Sequence, residues 1–179
     1  MKILIVGNGA RESALALKLK DDSRISKLYF AKGTVTTAEL GQNVYDESVE
    51  GLRDFAIKER IDLTIVGPEA PLVEGIVDEF KKHGLKIFGP EKRAAELEGS
   101  KAFSKKFMQT NNIKTAKAVV FDAYHDAIEY VRNQKFPIVI KASGLAGGKG
   151  VVIADNLTEA ESTIHKFMIE RIYGDAGIQ

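Results

Sequence analysis

Cysteine is absent from this 179-residue chain, which excludes disulfides, thiolate metal sites and a cysteine nucleophile. An excess charge of one sign is missing too: 26 Lys and Arg stand against 25 Asp and Glu, a formal charge of +1. Such a balance gives no global attraction for nucleic acid or a membrane surface, so any anion site must be local. Histidine is scarce, and His83, His125 and His165 fall on separate expected helices without convergent partners, which speaks against a histidine metal site. Long hydrophobic runs are lacking. The opening MKILIVGNGARES has one short apolar stretch and then turns polar, so neither a signal peptide nor a membrane helix is expected. The chain is accordingly read as soluble and cytoplasmic, with no nucleic-acid or membrane partner. With no repeats and 44% hydrophobic residues, the length suits one large domain or two small ones.

What is present is an alternation of strand and helix patterns. KILIVG (2–7) reads as a buried parallel strand, followed after the turn GNG by helix formers from Ala10 onward. KLYFA (27–31) is a second strand. ESVEGLRDFAIKER (47–60) carries Val49, Leu52, Phe55 and Ala56 at helix-face spacing. A third strand begins at Ile61 and leads into a turn with two prolines. A helix over 73–84 is stopped by Gly84, and LKIFGP (85–90) is a further strand. Short connections between such elements predict a doubly wound parallel sheet over residues 1–90, where ligands sit at the carboxyl ends of strands. The glycines of VGNG, IVGPEA and IFGP all fall there.

The pattern changes near residue 91. Residues 91–112 read as two helices broken near Gly99, and KAVVFD (117–122) as a strand before a helix. PIVIKA and GVVIAD form an antiparallel hairpin, and a last helix over 157–172 has capping-box spacing at Thr158 and Glu161. This makes residues 117–179 a separate α+β unit behind a helical segment at 91–116. The chain stops just where another strand is expected.

Two glycine loops carry the chemistry. In the first, Gly7 and Gly9 fit a dinucleotide fingerprint, but Glu12 takes the third glycine's place. Lys32 stands where an acid should follow the second strand. Both count against a nicotinamide cofactor. A plain tight turn, or a smaller phosphate-bearing ligand on exposed amides at the helix start, remain open. In the second, SGLAGGKG (143–150), Ser143 replaces the first glycine of a Walker loop, Gly150 replaces its Ser or Thr, and a strand follows instead of a helix. This is not a P-loop. A glycine-rich hairpin loop can nevertheless bring backbone amides close to polyphosphate, with Lys149 adding a point charge. Lys141, inside its strand, must face solvent or find an anion.

Read in order, LIVGNGARE, DLTIVGPEAPLVEG, KIFGP, LEGSKAFSKKFM and PIVIKASGLAGGKGVVIA resemble the N-terminal part of the phosphoribosylamine–glycine ligase family, ATP-grasp enzymes of purine biosynthesis. The resemblance spans nearly the whole chain. It implies a Rossmann-like N-terminal domain, a helical segment and part of an ATP-grasp lid. It also implies an activity: ATP-dependent ligation of glycine to 5-phosphoribosylamine through an acyl phosphate. By that resemblance Lys101, Lys141, Gly144, Gly147, Gly148, Lys149 and Gly150 bind ATP. Asn8, Gly9, Arg11, Glu12, Gly67, Pro68, Glu69 and Pro71 face phosphoribosylamine. The cofactor magnesium (or manganese) would take its ligands from beyond residue 179, none being expected within it. Three positions depart from the family pattern: Ser13 for its histidine, Lys32-Gly33-Thr34 for its Pro-Gly-Asn turn, and Ser143 for its aspartate. The first two lie around the expected sugar-phosphate site and put substrate affinity in question. Half a lid cannot shield an acyl phosphate from water, so these residues alone are expected not to complete the reaction. The rival functions are a non-catalytic nucleotide or sugar-phosphate binding protein and, against Glu12 and Lys32, an oxidoreductase.

Overall fold

Five parallel strands form one sheet, running in space β3 (Gln42–Val44), β2 (Lys27–Ala31), β1 (Lys2–Val6), β4 (Leu63–Val66) and β5 (Ile87–Phe88). The computed structural model describes residues 1–179, which divide into two units, Met1–Ala95 and Glu96–Gln179. The sheet belongs to the first. Its central strand is apolar at every position after Lys2 because both faces are covered. Ile3 and Ile5 pack with Leu28, Phe30 and Ala16 of α1 (Ala10–Leu19). Leu4 and Val6 point the other way, toward Leu52 and Ala56 of α3 (Val49–Glu59) and Ile76, Val77 and Phe80 of α5 (Ile76–Lys82). The expected doubly wound α/β arrangement is therefore present. Since β1 sends its chain one way to β2 and is flanked on the other side by β4, the strand order reverses between β1 and β4. The loops that follow these two strands meet there.

Several local expectations are corrected. Short α2 (Val35–Ala38) and edge strand β3 have too few residues to leave a periodic signal, and neither was foreseen. The second proline of GPEAPL is helical: Pro68 caps α4 (Glu69–Glu74) and Pro71 lies in its first turn, where the missing N–H is not needed. The helix expected over 73–84 is broken at Gly75, whose φ is 102°, and Gly84 follows the end of α5 as foreseen.

In the second unit, α6 (Lys92–Gly99) leads in from the first, and the break before α7 (Lys101–Thr110) falls at Ser100. Strands β6 (Ile138–Lys141) and β7 (Val151–Ala154) make the antiparallel hairpin expected, with Ile138 opposite Ala154 and Lys141 opposite Val151. One face of the hairpin packs on α8 (Tyr124–Arg132) and α9 (Leu157–Met168) through Ile128, Val131, Ala154 and Ile164. The strand expected over 117–122 does not form. Val119 and Val120 are exposed and no strand pairs with them, and a strand without a ladder leaves its amides unpaid by any partner. The cap of α9 is Asn156, which accepts from the Glu159 amide at 3.0 Å, while the Glu159 carboxylate accepts from the Asp155 amide. The expected Thr158–Glu161 pair was two residues late.

Candidate functional site

The start of α7 is built by two serines. Ser100 caps it, its hydroxyl accepting from the Phe103 amide at 3.1 Å. Ser143, on the strand-to-loop junction after β6, supplies two further acceptors: its carbonyl takes the Lys101 amide at 2.8 Å and its hydroxyl the Ala102 amide at 3.1 Å. Three amides of the first turn are thereby satisfied, which leaves the Lys101 side chain as the cationic group this end presents. Its ammonium donates to the Gly144 carbonyl at 3.0 Å, at the base of the glycine loop. Burial, and secondarily the positive charge of Lys141, hold the Lys101 pKa below the ordinary lysine value.

Four lysines pair with carboxylates, as Lys2–Glu59, Lys32–Glu47, Lys81–Glu91 and Lys82–Glu79; Lys101 and Lys141 are among the many that do not, and these two lie close enough for each to feel the other's charge. Two like charges have thus been brought together without compensation. Lys141 is exposed, on the hairpin face that also shows Val139, Val151 and Ile153 to solvent. The two lysines, with Lys105, Ser143, Val119 and Ile140, are among the residues lining a cavity of about 750 Å³ along β6. That is the size range of small-molecule sites.

The loop itself is a turn between two strands. Gly147 and Gly148 have φ of 56° and 76°, and the Lys149 amide closes onto the Ala146 carbonyl at 2.9 Å. Positive φ at both central positions defines a primed hairpin turn, which side chains other than Gly, Asn and Asp resist. The amides of Leu145, Ala146, Gly147, Gly148 and Gly150 donate to no acceptor in the chain. Lys149 is exposed at the tip.

In the first unit, the turns after β1 and β4 lie side by side. The Gly7 amide donates to Ala31 at 3.2 Å and the Gly67 amide to Val6 at 3.0 Å, so each strand is followed at once by its turn. The Arg11 guanidinium donates to the Gly67 carbonyl, joining the start of α1 to the β4 turn. Glu12 is 4% exposed, and its carboxylate accepts from the Gly9 amide at 2.6 Å. A Cβ on Gly67 would fall 1.8 Å from the other Glu12 oxygen, so only glycine admits that carboxylate between the turns. Asn8 and Gly9 are exposed; Pro68, Glu69 and Pro71 are half-buried. Lys32, at the end of β2, sits at φ 60° with its ammonium on Glu47 at 2.8 Å. Sequence reasoning missed the Glu12 tie, the capping of α7 by Ser143, and a Tyr173 hydroxyl bond to the loop. Only Ser100, a serine just before a helix pattern, had left a local signal.

The same ordering of elements recurs in solved structures. The biotin carboxylase domain of 2-oxoglutarate carboxylase from Hydrogenobacter thermophilus, solved with MgADP, ADP and bicarbonate, aligns with 98% of this chain and 42% of its own at a TM-score of 0.75 and 18% identity. Phosphoribosylamine–glycine ligase from Thermotoga maritima aligns with 96% of this chain and 40% of its own, TM-score 0.74 and 29% identity. The class is set by the family match of the second unit, an ATP-grasp domain. Residues 1–98 match the phosphoribosylglycinamide synthetase N domain and residues 99–179 its ATP-grasp (A) domain. The chain belongs to the phosphoribosylglycinamide synthetase family. It is 51% identical over 179 residues to phosphoribosylamine–glycine ligase of Clostridium acetobutylicum, covering 99% of this chain and 43% of that protein. The chain thus spans under half the length of the curated relatives it matches.

Proposed function

We propose that these residues supply the sugar-phosphate-binding part and one wall of the ATP site of a phosphoribosylamine–glycine ligase. In the reaction, the γ-phosphoryl group of ATP passes to the glycine carboxylate, giving an acyl phosphate and ADP. The amine of phosphoribosylamine then attacks the acyl carbon and inorganic phosphate leaves. Negative charge gathers on the transferring phosphoryl group, and cations with fixed amides are what such a site needs. The observation that carries the proposal is the uncompensated Lys101–Lys141 pair, set beside a loop with five unused amides. Lys101, Lys141, Lys149 and the glycines at 144, 147, 148 and 150 serve the phosphates in this account. The turns at Asn8–Gly9 and 67–71, at the reversal point of the sheet, serve phosphoribosylamine, with Arg11 and Glu12 bracing the two turns against each other. Magnesium belongs to this chemistry, but no group of three His, Asp or Glu converges in these residues, so they offer no fitting ligand set.

Calorimetric titration of the chain with ATP is the test. Saturable binding is expected, weakened about tenfold or more in Lys101→Ala and in Lys141→Ala, since each removes a charge-assisted contact. Absence of binding, or indifference to both substitutions, would overturn the assignment of the ATP site. Release of ADP on adding glycine and phosphoribosylamine would show that the chain also turns over; binding without it would mark these residues as a binding module.

A further inference from the structure

The glycine loop is tied at two points to the chain segment that follows α9. The Tyr173 hydroxyl donates to the Lys149 carbonyl at 2.7 Å, and the Ala176 carbonyl accepts from the Gly144 amide at 3.1 Å. These two bonds grip the loop at its two ends, on either side of the Gly147–Gly148 turn. The segment is itself anchored. The Tyr173 ring meets Phe167 of α9 edge-on, with centroids 5.2 Å apart, and Phe167 is buried. The short 3₁₀ turn Gly174–Gly177 packs so closely on the loop that a Cβ on Gly144 would lie 2.7 Å from Ala176. A loop rich in glycine has many backbone states to lose, so an outside contact that selects one of them has a large effect on its order.

We infer that Tyr173 is a positioning residue for the loop: its hydroxyl holds residues 144–150 in the shape seen here before any anion arrives. The chemistry of the contact decides between holding the loop ready and holding it shut. The tyrosine uses a carbonyl, which a phosphate cannot use, and leaves the Leu145, Ala146, Gly147, Gly148 and Gly150 amides free to donate. The bond therefore does not compete with an anion. It lowers the ordering cost of binding one, as preorganisation does. The claim about binding rests on the phosphate role proposed for the loop; the claim about loop order does not.

Tyr173→Phe removes the hydroxyl and keeps the ring against Phe167. Amide exchange of residues 144–150 in the ligand-free chain should rise several-fold, with α8 and α9 unchanged. The affinity for inorganic tripolyphosphate should fall by about fivefold, the worth of one hydrogen bond. Tyr173→Leu, which also loses the ring contact, should speed exchange in the loop and in the end of α9. Unchanged loop exchange in Tyr173→Phe would overturn the inference, as would a rise spread evenly through α8 and α9. If the unsubstituted chain binds no tripolyphosphate, the phosphate role fails while the exchange comparison still decides whether Tyr173 orders the loop.

Discussion

Thr64 is 1% exposed in the middle of the sheet, and its hydroxyl is the buried side-chain group that finds no partner. It lies beside Leu4 and Ile87, among apolar neighbours. An orphaned buried hydroxyl costs on the order of 1–3 kcal/mol, so Thr64→Val, which keeps the branched shape, should raise unfolding stability by about 1 kcal/mol in urea. Lys101 poses the opposite problem, a charge kept where burial and Lys141 oppose it. In the window between its lowered folded pKa and the ordinary lysine value, the unfolded chain binds more protons, so this group makes stability rise with pH there and exacts its full penalty below it. A carbon-13 titration of the Lys101 side chain should find its midpoint below that of free lysine. Added tripolyphosphate should move the midpoint upward, since an anion favours the charged form. A midpoint at the ordinary value would contradict the burial argument. Thr64 did not stand out in the sequence, since Thr suits any strand, and Lys101 was singled out by the family resemblance, not by its own local pattern.

At the scale of elements, the Arg53 guanidinium bridges α3 to α5, donating to Glu79 at 2.5 Å with both side chains about one-fifth exposed. The hydrogen bond from Arg53 holds the Glu79 carboxyl below its usual range, aided by His83 and Lys82. The contribution to stability is present above the ordinary carboxylate value and is lost as pH falls through the lowered one. Arg53→Ala should therefore destabilise the protein at pH 7 and cost visibly less at pH 3, compared by thermal unfolding at both values. Equal losses at the two pH values would point to packing alone. The helices that carry this pair were legible because their apolar residues recur at helical spacing. The split between α4 and α5 was not, since a glycine inside a helical pattern leaves open whether it breaks the helix. The failed strand at 117–122 shows the complementary limit: KAVVFD has strand composition, yet strand propensity acts only through a paired neighbour.

At the scale of the whole chain, each unit has hydrophobic cores of its own. The cores around Leu4 and Ile5 lie within residues 1–95, and that around Val131 and Ile164 within residues 121–168. Ile164→Ala should cost about 2–4 kcal/mol by leaving a cavity. The loss should be confined to the second unit: amide exchange should rise in α8, α9 and the hairpin and stay as it is in β1 and β4. Equal loosening of β1 would show that the units unfold together.

What the sequence determined by itself were the features written in local pattern. These were the parallel-sheet class, from apolar runs ended by glycine; the hairpin, from two such runs around SGLAGGKG; and the family, from five motifs in fixed order. The tertiary structure alone decided which groups meet. Glu12 against the Gly67 turn, Ser143 on Ala102 of α7 across 41 residues, Lys101 beside Lys141 and Tyr173 on Lys149 are all contacts between distant segments. Backbone dihedrals and hydrophobic spacing are local and repeat along the chain, so they can be read there. A hydrogen bond between segments far apart depends on how strands and helices pack, and no pattern within one segment encodes its partner.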